Sequence, residues 1–357
     1  MLAAPLLTPA WNERLARELA ERIGVPLESD PYGPQAALPS PGARQLADGF
    51  VAPLFDHGVL TASGEEASKF LHAQLTNDVE HLAPGDARWF GYCTAKGRLL
   101  GSFLGWRDPQ AIQLITSRAL AAGLRKRLGM FVLRSKVTLA DRSDELAVLG
   151  LGGARLPAVL ATLGLALPEP MRAAAVDGAT VVALPAVSID GHDCPRCLLM
   201  FPQEKLASTW AALASRLAPA PSAAWRWTEV LAGVPRIVAG TSEQFVPQMI
   251  NFELIGGVSF KKGCYPGQEV VARSQYLGKL KRRMFAAHLE GAEPAPGSDV
   301  VPAAGGEPVG QVVLAAPSPL GGVDLLFESQ IAAVDAGTLL AGGCALQLRE
   351  LPYPLAA

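Results

Sequence analysis

The sequence predicts a mixed α+β protein of more than one domain that closes with a small β-barrel or sandwich. Three observations predict it. The chain has 357 residues, more than one ordinary core accommodates. Helical and strand periodicities alternate between residues 50 and 140. After Arg283 the pattern changes to short apolar runs between Gly/Pro-rich turns.

The elements follow in order. Trp11–Ile23 spaces its apolar residues as an amphipathic helix. Residues 26–49 are rich in Pro, Gly and Ala and read as a linker or surface-wrapping segment. Val51–Ala62 is the first strand run. Glu65–Leu71 is a short helix with Ser63 as its N-cap. Two apolar runs within Trp89–Trp106 flank Lys96-Gly97 and predict a hairpin turning there. Ala119–Leu128 is a basic amphipathic helix, and Val137–Leu139 returns as a strand. Glu145–Gly152 and Thr180–Val187 are further strands separated by a helical stretch, and Glu204–Leu217 is another helix. Met284–Leu289, Val309–Leu314 and Ala345–Leu351 are the short strands of the terminal barrel or sandwich. No repeat of fixed period is present.

Half the residues are hydrophobic, 18% are charged, and the formal net charge is −2. That balance belongs to globular proteins and excludes bulk disorder and a globally basic nucleic-acid binder. The charge-free stretch Pro308–Val323 holds three prolines and several glycines, so no membrane span is expected there. The N-terminal apolar residues lack a basic flank, so a secretory signal is not expected. Five cysteines form an odd, sparse set that does not read as a disulfide framework. Cytoplasm is the expected location.

The unusual stretch is Gly256–Arg283, GGVSFKKGCYPGQEVVARSQYLGKLKRR. Between Lys261 and Arg283 seven Lys/Arg face one acid, Glu269, which concentrates about +6 in 23 residues. A solvated basic face is the plain reading. The interleaved Gly263, Gly267 and Gly278, with Cys264, Tyr265 and Tyr276, favour a positive loop shaped for an anionic ligand. Such a ligand would be a polyglutamate tail, a phosphate or a nucleic acid. Cys264 sits among Lys261, Lys262 and Arg273. Cations at that range favour a thiolate, so a reactive thiol is expected in place of a buried inert one.

The run Lys261-Lys262-Gly263-Cys264-Tyr265-Pro266-Gly267-Gln268-Glu269, continuing to Arg273, resembles the K-G-C-Y-x-G-Q-E signature of the YgfZ family. Phe245-Val246-Pro247-Gln248 with Asn251 resembles that family's approach to the loop. Lys69–Val79, Cys93–Arg98 and the terminal Leu351-Pro352-Tyr353 fit as well, so the resemblance covers roughly residues 50–355.

The resemblance implies a three-lobed α+β fold shared with the aminomethyltransferase (T-protein) of glycine cleavage, ending in a C-terminal β-barrel. It implies four segments. Residues 1–49 form an N-terminal extension, and 50–62 plus 141–283 a central folate-binding domain. Residues 63–140 form an inserted ferredoxin-like α+β domain, and 284–357 the barrel. Tetrahydrofolate, or its polyglutamylated form, is the implied cofactor. Trp225, eight residues before Gly233-Val234-Pro235, maps onto the pterin-stacking indole. His57 maps onto the second aromatic position, with less stacking area than an indole. Gln248 and Asn251 are the further implied binding residues. Cys264, Lys262, Tyr265, Gln268, Glu269 and Arg273 are the implied reactive group.

His192-Asp193-Cys194-Pro195-Arg196-Cys197 contains a C-x-x-C, read as an incidental loop pair because no second pair or spaced His pair completes a metal site. No resident metal is expected.

Two functions compete. One is a folate-dependent accessory protein that supports assembly or repair of iron–sulfur clusters in client enzymes, including those that thiolate tRNA. The other is a folate-dependent aminomethyltransferase, which would need a carboxylate on the hairpin near the folate's reactive nitrogen. Lys96–Arg107 contains no acid, which favours the first. Direct tRNA binding through the basic loop is a third reading.

Overall fold

The structure is a computed structural model and describes residues 10–276 and 280–355. Gly278, one glycine of the basic run, lies outside the described residues. The chain divides into two compact units. The first holds the residues up to Phe70, Leu82–Ala87 and Leu104–Ser222; the second holds Leu71–His81, Arg88–Phe103 and the chain from Ala223 on.

The first unit is built on a six-stranded sheet. Its order is Ala173–Val176, Ala179–Ile189, His192–Pro202, Leu146–Gly152, Phe50–Pro53 and Ala218–Pro219. All pairings are antiparallel except the last. Val51, Leu149, Leu151, Leu199 and Phe201 bury one core with Leu156 and Leu160 of the helix Leu156–Thr162. Helix Ala10–Ile23 adds Ala16, Leu19 and Ala20 to that core, and helix Leu206–Ala214 adds Trp210 and Leu213. Residues 26–49 are more than a linker. Leu27–Glu28 pairs with Gln35–Ala36, helix Ala43–Asp48 follows, and Ala36 and Leu46 are buried. Small side chains let this segment lie close on the core.

Val51–Ala62 reads as one strand but is two, in different sheets. Phe50–Pro53 ends at Pro53, and His57 N bonds back to Leu54 O at 3.2 Å before His57–Ser63 begins. His57–Ser63 lies between Ala111–Ser117 and Thr138–Asp141, antiparallel to both. Helix Arg118–Gly129 covers it because Gly58 carries no side chain. A Cβ there would stand 2.8 Å from Ala121 Cβ and 3.2 Å from Arg118 Cα. The predicted helix at Glu65–Leu71 forms over Ala67–Gln74, beyond the reach of Ser63 as cap. Cys194 and Cys197 are not a loop pair. Both lie in the polar first half of strand His192–Pro202, whose apolar residues follow from Leu198 on.

The second unit carries the hairpin arm that enters it at Arg88. Strands Ala87–Cys93 and Leu99–Arg107 flank a turn closed by Thr94 N to Arg98 O (2.8 Å) and Gly97 N to Thr94 O (2.9 Å). Its other half is a nearly closed barrel of seven antiparallel strands. The long ones, Arg282–Leu289, Val323–Gln330 and Gly310–Pro317, pair in that order. Leu289, Val300, Val312, Leu325 and Phe327 fill it. Strand Val323–Gln330 was not anticipated. Gln268–Tyr276, read from sequence as loop, is a helix. No described helix is long and apolar enough to cross a membrane.

The Gly58 contact yields a test of the packing. Gly58→Ala should lower stability by about 1–3 kcal/mol through overpacking against a helix backbone that cannot retreat. Adding Ala121→Gly should recover part of that loss despite its own helix cost of about 1 kcal/mol. Denaturant melts of the two single variants and the double variant check the coupling.

Candidate reactive-cysteine site

The cysteine loop, its supports and its charged neighbours all belong to the second unit. The loop hangs between two clamps. At its entry, Thr76 Oγ1 donates to Gly257 O (2.6 Å) and accepts from Gly91 N (2.8 Å). Asn77 Nδ2 donates to Gly256 O (2.6 Å) and Trp89 O (3.0 Å), and Ser259 N donates to Thr76 O (3.0 Å). The Thr-Asn of the Gln74–Val79 run is thus a clasp.

At its exit, Gly267 (φ +82°) meets the hairpin turn at Gly97 (φ +72°) backbone to backbone. A Cβ on Gly267 would lie 2.6 Å from Gly97 Cα. Both glycines are required, by positive φ and by the close approach. Helix Gln268–Tyr276 starts there, held by Gln248 Nε2 donating to Val271 O at 2.8 Å.

Gln248 and Asn251 are fully buried and engage backbone. Asn251, in the left-handed region at φ +56°, ends the short 3₁₀ helix Pro247–Ile250 and donates to Met284 O (2.8 Å). Arg283 bonds Gln248 O (3.0 Å) and pairs with Glu253. These residues frame the loop and join it to the barrel.

Between the clamps Cys264 is exposed. The neighbouring lysines differ: Lys261 faces solvent, whereas Lys262 turns inward and is 9% exposed. Lys262 Nζ donates to Gly263 O (3.0 Å) and lies 4.6 Å from the centre of the Tyr265 ring. Burial pulls the Lys262 ammonium down to about 8, against the opposing charges of Asp78, Cys264 and Glu80. Tyr265 is buried, and burial together with the Cys93 charge pushes its phenol up. Gln268 is half-buried, and Glu269 and Arg273 face solvent on the helix.

The wall beside the loop is made of residues to which the sequence assigned no role in the site. His72 Nδ1 lies 3.1 Å from Asp78 Oδ1, His81 Nδ1 2.8 Å from Asp78 Oδ2, and His72 Nε2 3.8 Å from Glu80. A Cβ on Gly263 would stand 3.7 Å from His72 Nε2, so this imidazole borders the loop. Burial disfavours the Asp78 carboxylate, but hydrogen bonds from His81 and the charges of His81 and His72 outweigh it and hold the group below its ordinary value. These acids and imidazoles stand more than 180 positions before Cys264, and no local pattern announces the meeting. The site therefore holds an exposed thiol, a lysine able to exchange its proton near pH 8, and an acid–imidazole wall.

The other cysteines differ. Burial pushes the Cys93 thiol up to about 12 and raises Cys194 and Cys197 as well. Cys194 and Cys197, three apart on one strand, point to opposite faces, so they cannot chelate one ion together.

The remaining family-implied residues lie elsewhere. Trp225, on helix Ser222–Leu231, is 1% exposed. Its neighbours pin that helix to the barrel: Arg226 Nε donates to Ala315 O (2.7 Å) and Trp227 Nε1 to Asp324 Oδ2 (2.7 Å). Gly233 (φ +61°) receives the terminal Tyr353, whose hydroxyl donates to Gly233 O at 2.6 Å. His57 belongs to the first unit, buried, with Nδ1 2.9 Å from Asp56 Oδ1.

The Lys262 shift has a signed consequence. Its folded-state value lies below the ordinary 10.5, so between about pH 8 and 10.5 the unfolded chain binds more protons and stability rises with pH. Lys262→Met should flatten the stability–pH curve over that window relative to wild type, read from denaturant melts at several pH values.

No protein-family model matches the chain. It is 32% identical over 261 residues to the tRNA-modifying protein YgfZ of Colwellia psychrerythraea, covering 73% of this chain and 78% of that one. It is 34% identical over 239 residues to the Klebsiella pneumoniae protein of the same name, covering 65% and 69%. Among solved structures, the glycine cleavage system aminomethyltransferase T from Bartonella henselae superposes with a TM-score of 0.75 over 97% of both chains at 17% identity. At that identity the superposition shows the fold, which is that of the T-protein. With curated relatives above 30% identity over more than two thirds of their length, and with the Lys262–Glu269 loop clamped as described, the chain belongs to the YgfZ family.

Proposed function

We propose that this protein is a tetrahydrofolate-binding accessory factor of the cytoplasm. It would support assembly or repair of iron–sulfur clusters in client enzymes, among them enzymes that modify tRNA by thiolation. The observation that carries the reading is the exposed Cys264 on a loop clamped at both ends, with Lys262 buried beside it. A core thiol needs neither solvent access nor a desolvated ammonium for a neighbour. A thiol that attacks a partner's sulfur or holds iron in passing needs access, and a cation at short range favours its anion. The tRNA element follows the names of the relatives, and the iron–sulfur element follows the family resemblance and the soft thiolate donor.

The folate element rests on the resemblance and on one large aromatic face. Gln248 Nε2 and Asn251 Nδ2 donate to backbone carbonyls, and both side chains are fully buried. His57 is tied to Asp56. Trp225 fits by its indole, although it is covered in this structure. When bound, a reduced folate would supply a one-carbon carrier or a reductant.

The transferase reading shares the fold, yet one fold hosts many chemistries. Lys96–Arg107 offers no carboxylate to stabilise a transferring aminomethyl group.

Two measurements test the proposal. Trp225→Leu keeps most of the buried volume and removes the π face. It should weaken tetrahydrofolate binding by about 1–3 kcal/mol in titration calorimetry, with folding confirmed by melting. Equal affinity in both proteins would remove Trp225 from the folate site. Cys264→Ser, at an exposed position, should leave the melting temperature within about a degree of wild type. The same variant should abolish stimulation of a purified iron–sulfur tRNA-thiolating enzyme. Full stimulation by the serine variant would overturn the thiol's role, and turnover of an aminomethyl-lipoyl carrier would establish the transferase instead.

A further inference from the structure

The helix Arg118–Gly129 ends in a surface that neither the thiol site nor folate binding uses. Three of the largest exposed apolar side chains stand within four residues: Met130 at 60%, Phe131 at 46% and Leu133 at 88% exposure. Isolated exposed apolar residues need no explanation, but a cluster does. Leu133 also sits in the left-handed region at φ +46°. A branched side chain there is strained, so a leucine thrust into water at positive φ combines two costs in one residue.

The segment is ordered by its own hydrogen bonds. Phe131 N donates to Leu128 O (3.0 Å), Ser135 N to Val132 O (2.8 Å), and Lys136 N to Glu66 Oε2 (2.7 Å). It forms a hook beside an open cavity of about 680 Å³ lined by Glu66 and residues 131–135.

Charge surrounds the hook on one side of the balance. Arg125, Lys126, Arg127 and Arg134 make no side-chain hydrogen bond or ion pair among the described residues. The two acids of this face are already engaged. Glu65 pairs with Lys136 Nζ at 2.7 Å, and Glu66 accepts from Lys136 N. Cations in the last helical turn are attracted by the negative end of the helix dipole, which accounts for Lys126 and Arg127. The dipole accounts neither for Arg134 nor for the apolar trio.

We propose that the hook Met130–Arg134 with the basic end of helix Arg118–Gly129 is a docking surface for a partner protein, which inserts apolar side chains against Phe131 and Leu133 and rims them with carboxylates. A polynucleotide fits less well. Its phosphates would suit the arginines, but Met130, Val132 and Leu133 offer its bases no aromatic face, and Phe131 is the one ring. The preformed hook loses little freedom on binding, and the four unpaired cations favour an acidic partner through encounter rate and register. This inference goes beyond the proposed function: neither folate nor Cys264 enters it, so either can fail without the other.

The probe is a fluorescent helical peptide with a Leu/Phe stripe flanked by glutamates. The controls are the same stripe flanked by lysines, unfractionated tRNA, and vesicles of phosphatidylcholine with phosphatidylglycerol. The Glu-flanked peptide should bind the full-length protein and weaken with salt. It should lose about tenfold or more in affinity to Leu133→Ser and, separately, to the double variant Arg125→Glu/Arg134→Glu. Leu133 is so exposed that its replacement should leave melting unchanged, and melting curves check this. Absence of peptide binding, equal binding of the Lys-flanked control, or indifference to both variants would overturn the proposal. Binding of tRNA or of vesicles that depends on these residues, without peptide binding, would reassign the surface to that ligand.

Discussion

The meeting of Gly97 and Gly267, backbone against backbone, is the constraint from which the rest of the thiol site follows. Two turns from distant parts of the chain approach so closely that a Cβ on either would collide with the other segment or its neighbours. The contact fixes where helix Gln268–Tyr276 begins. Together with the Thr76–Asn77 clasp, it leaves Lys262–Pro266 as a short bridge with little freedom. A bridge of that length cannot bury both of its side-chain faces. Lys262 and Tyr265 go inward, and Cys264 goes out.

The inward turn of Lys262 costs stability at neutral pH. An ammonium removed from water loses solvation that one carbonyl and one aromatic ring replace only in part. The result is a lysine whose charge responds to pH just above neutrality, facing a thiol and two acids. The same burial acting on Cys93, Cys194 and Cys197 has the opposite consequence, because the neutral thiol is the form that burial favours. Burial thus sets these three thiols apart from Cys264, which is exposed.

The fold supports this arrangement through the barrel. Arg226 and Trp227 tie helix Ser222–Leu231 to the strands, Asn251 and Arg283 tie the 3₁₀ helix to strand Arg282–Leu289, and Tyr353 closes on Gly233. Each tie is a side chain meeting backbone or a buried partner, so the family's short motifs read here as joints. The chain superposes on an aminomethyltransferase over 97% of both chains at 17% identity, so packing joints of this kind can hold a fold that the two sequences hardly share.

The sequence by itself determined the α+β class, the barrel at the end, the hairpin turn at Gly97 and the family, because periodicity, turn residues and a dense motif are local properties. It singled out Cys264 for the same reason, since its lysines and glycines are neighbours in the chain. It misjudged the run after Phe50, where Pro53 and a turn send one apolar stretch into two sheets. It also took Gln268–Tyr276 for loop and Cys194–Cys197 for a loop pair. Tertiary structure alone decided that Lys262 and not Lys261 turns inward, that His72, Asp78 and Glu80 wall the loop, and that Gln248 Nε2 and Asn251 Nδ2 donate to distant backbone carbonyls. Those outcomes depend on which segments meet across more than a hundred residues. Burial, which lowers Lys262 and raises Tyr265, exists only once they have met.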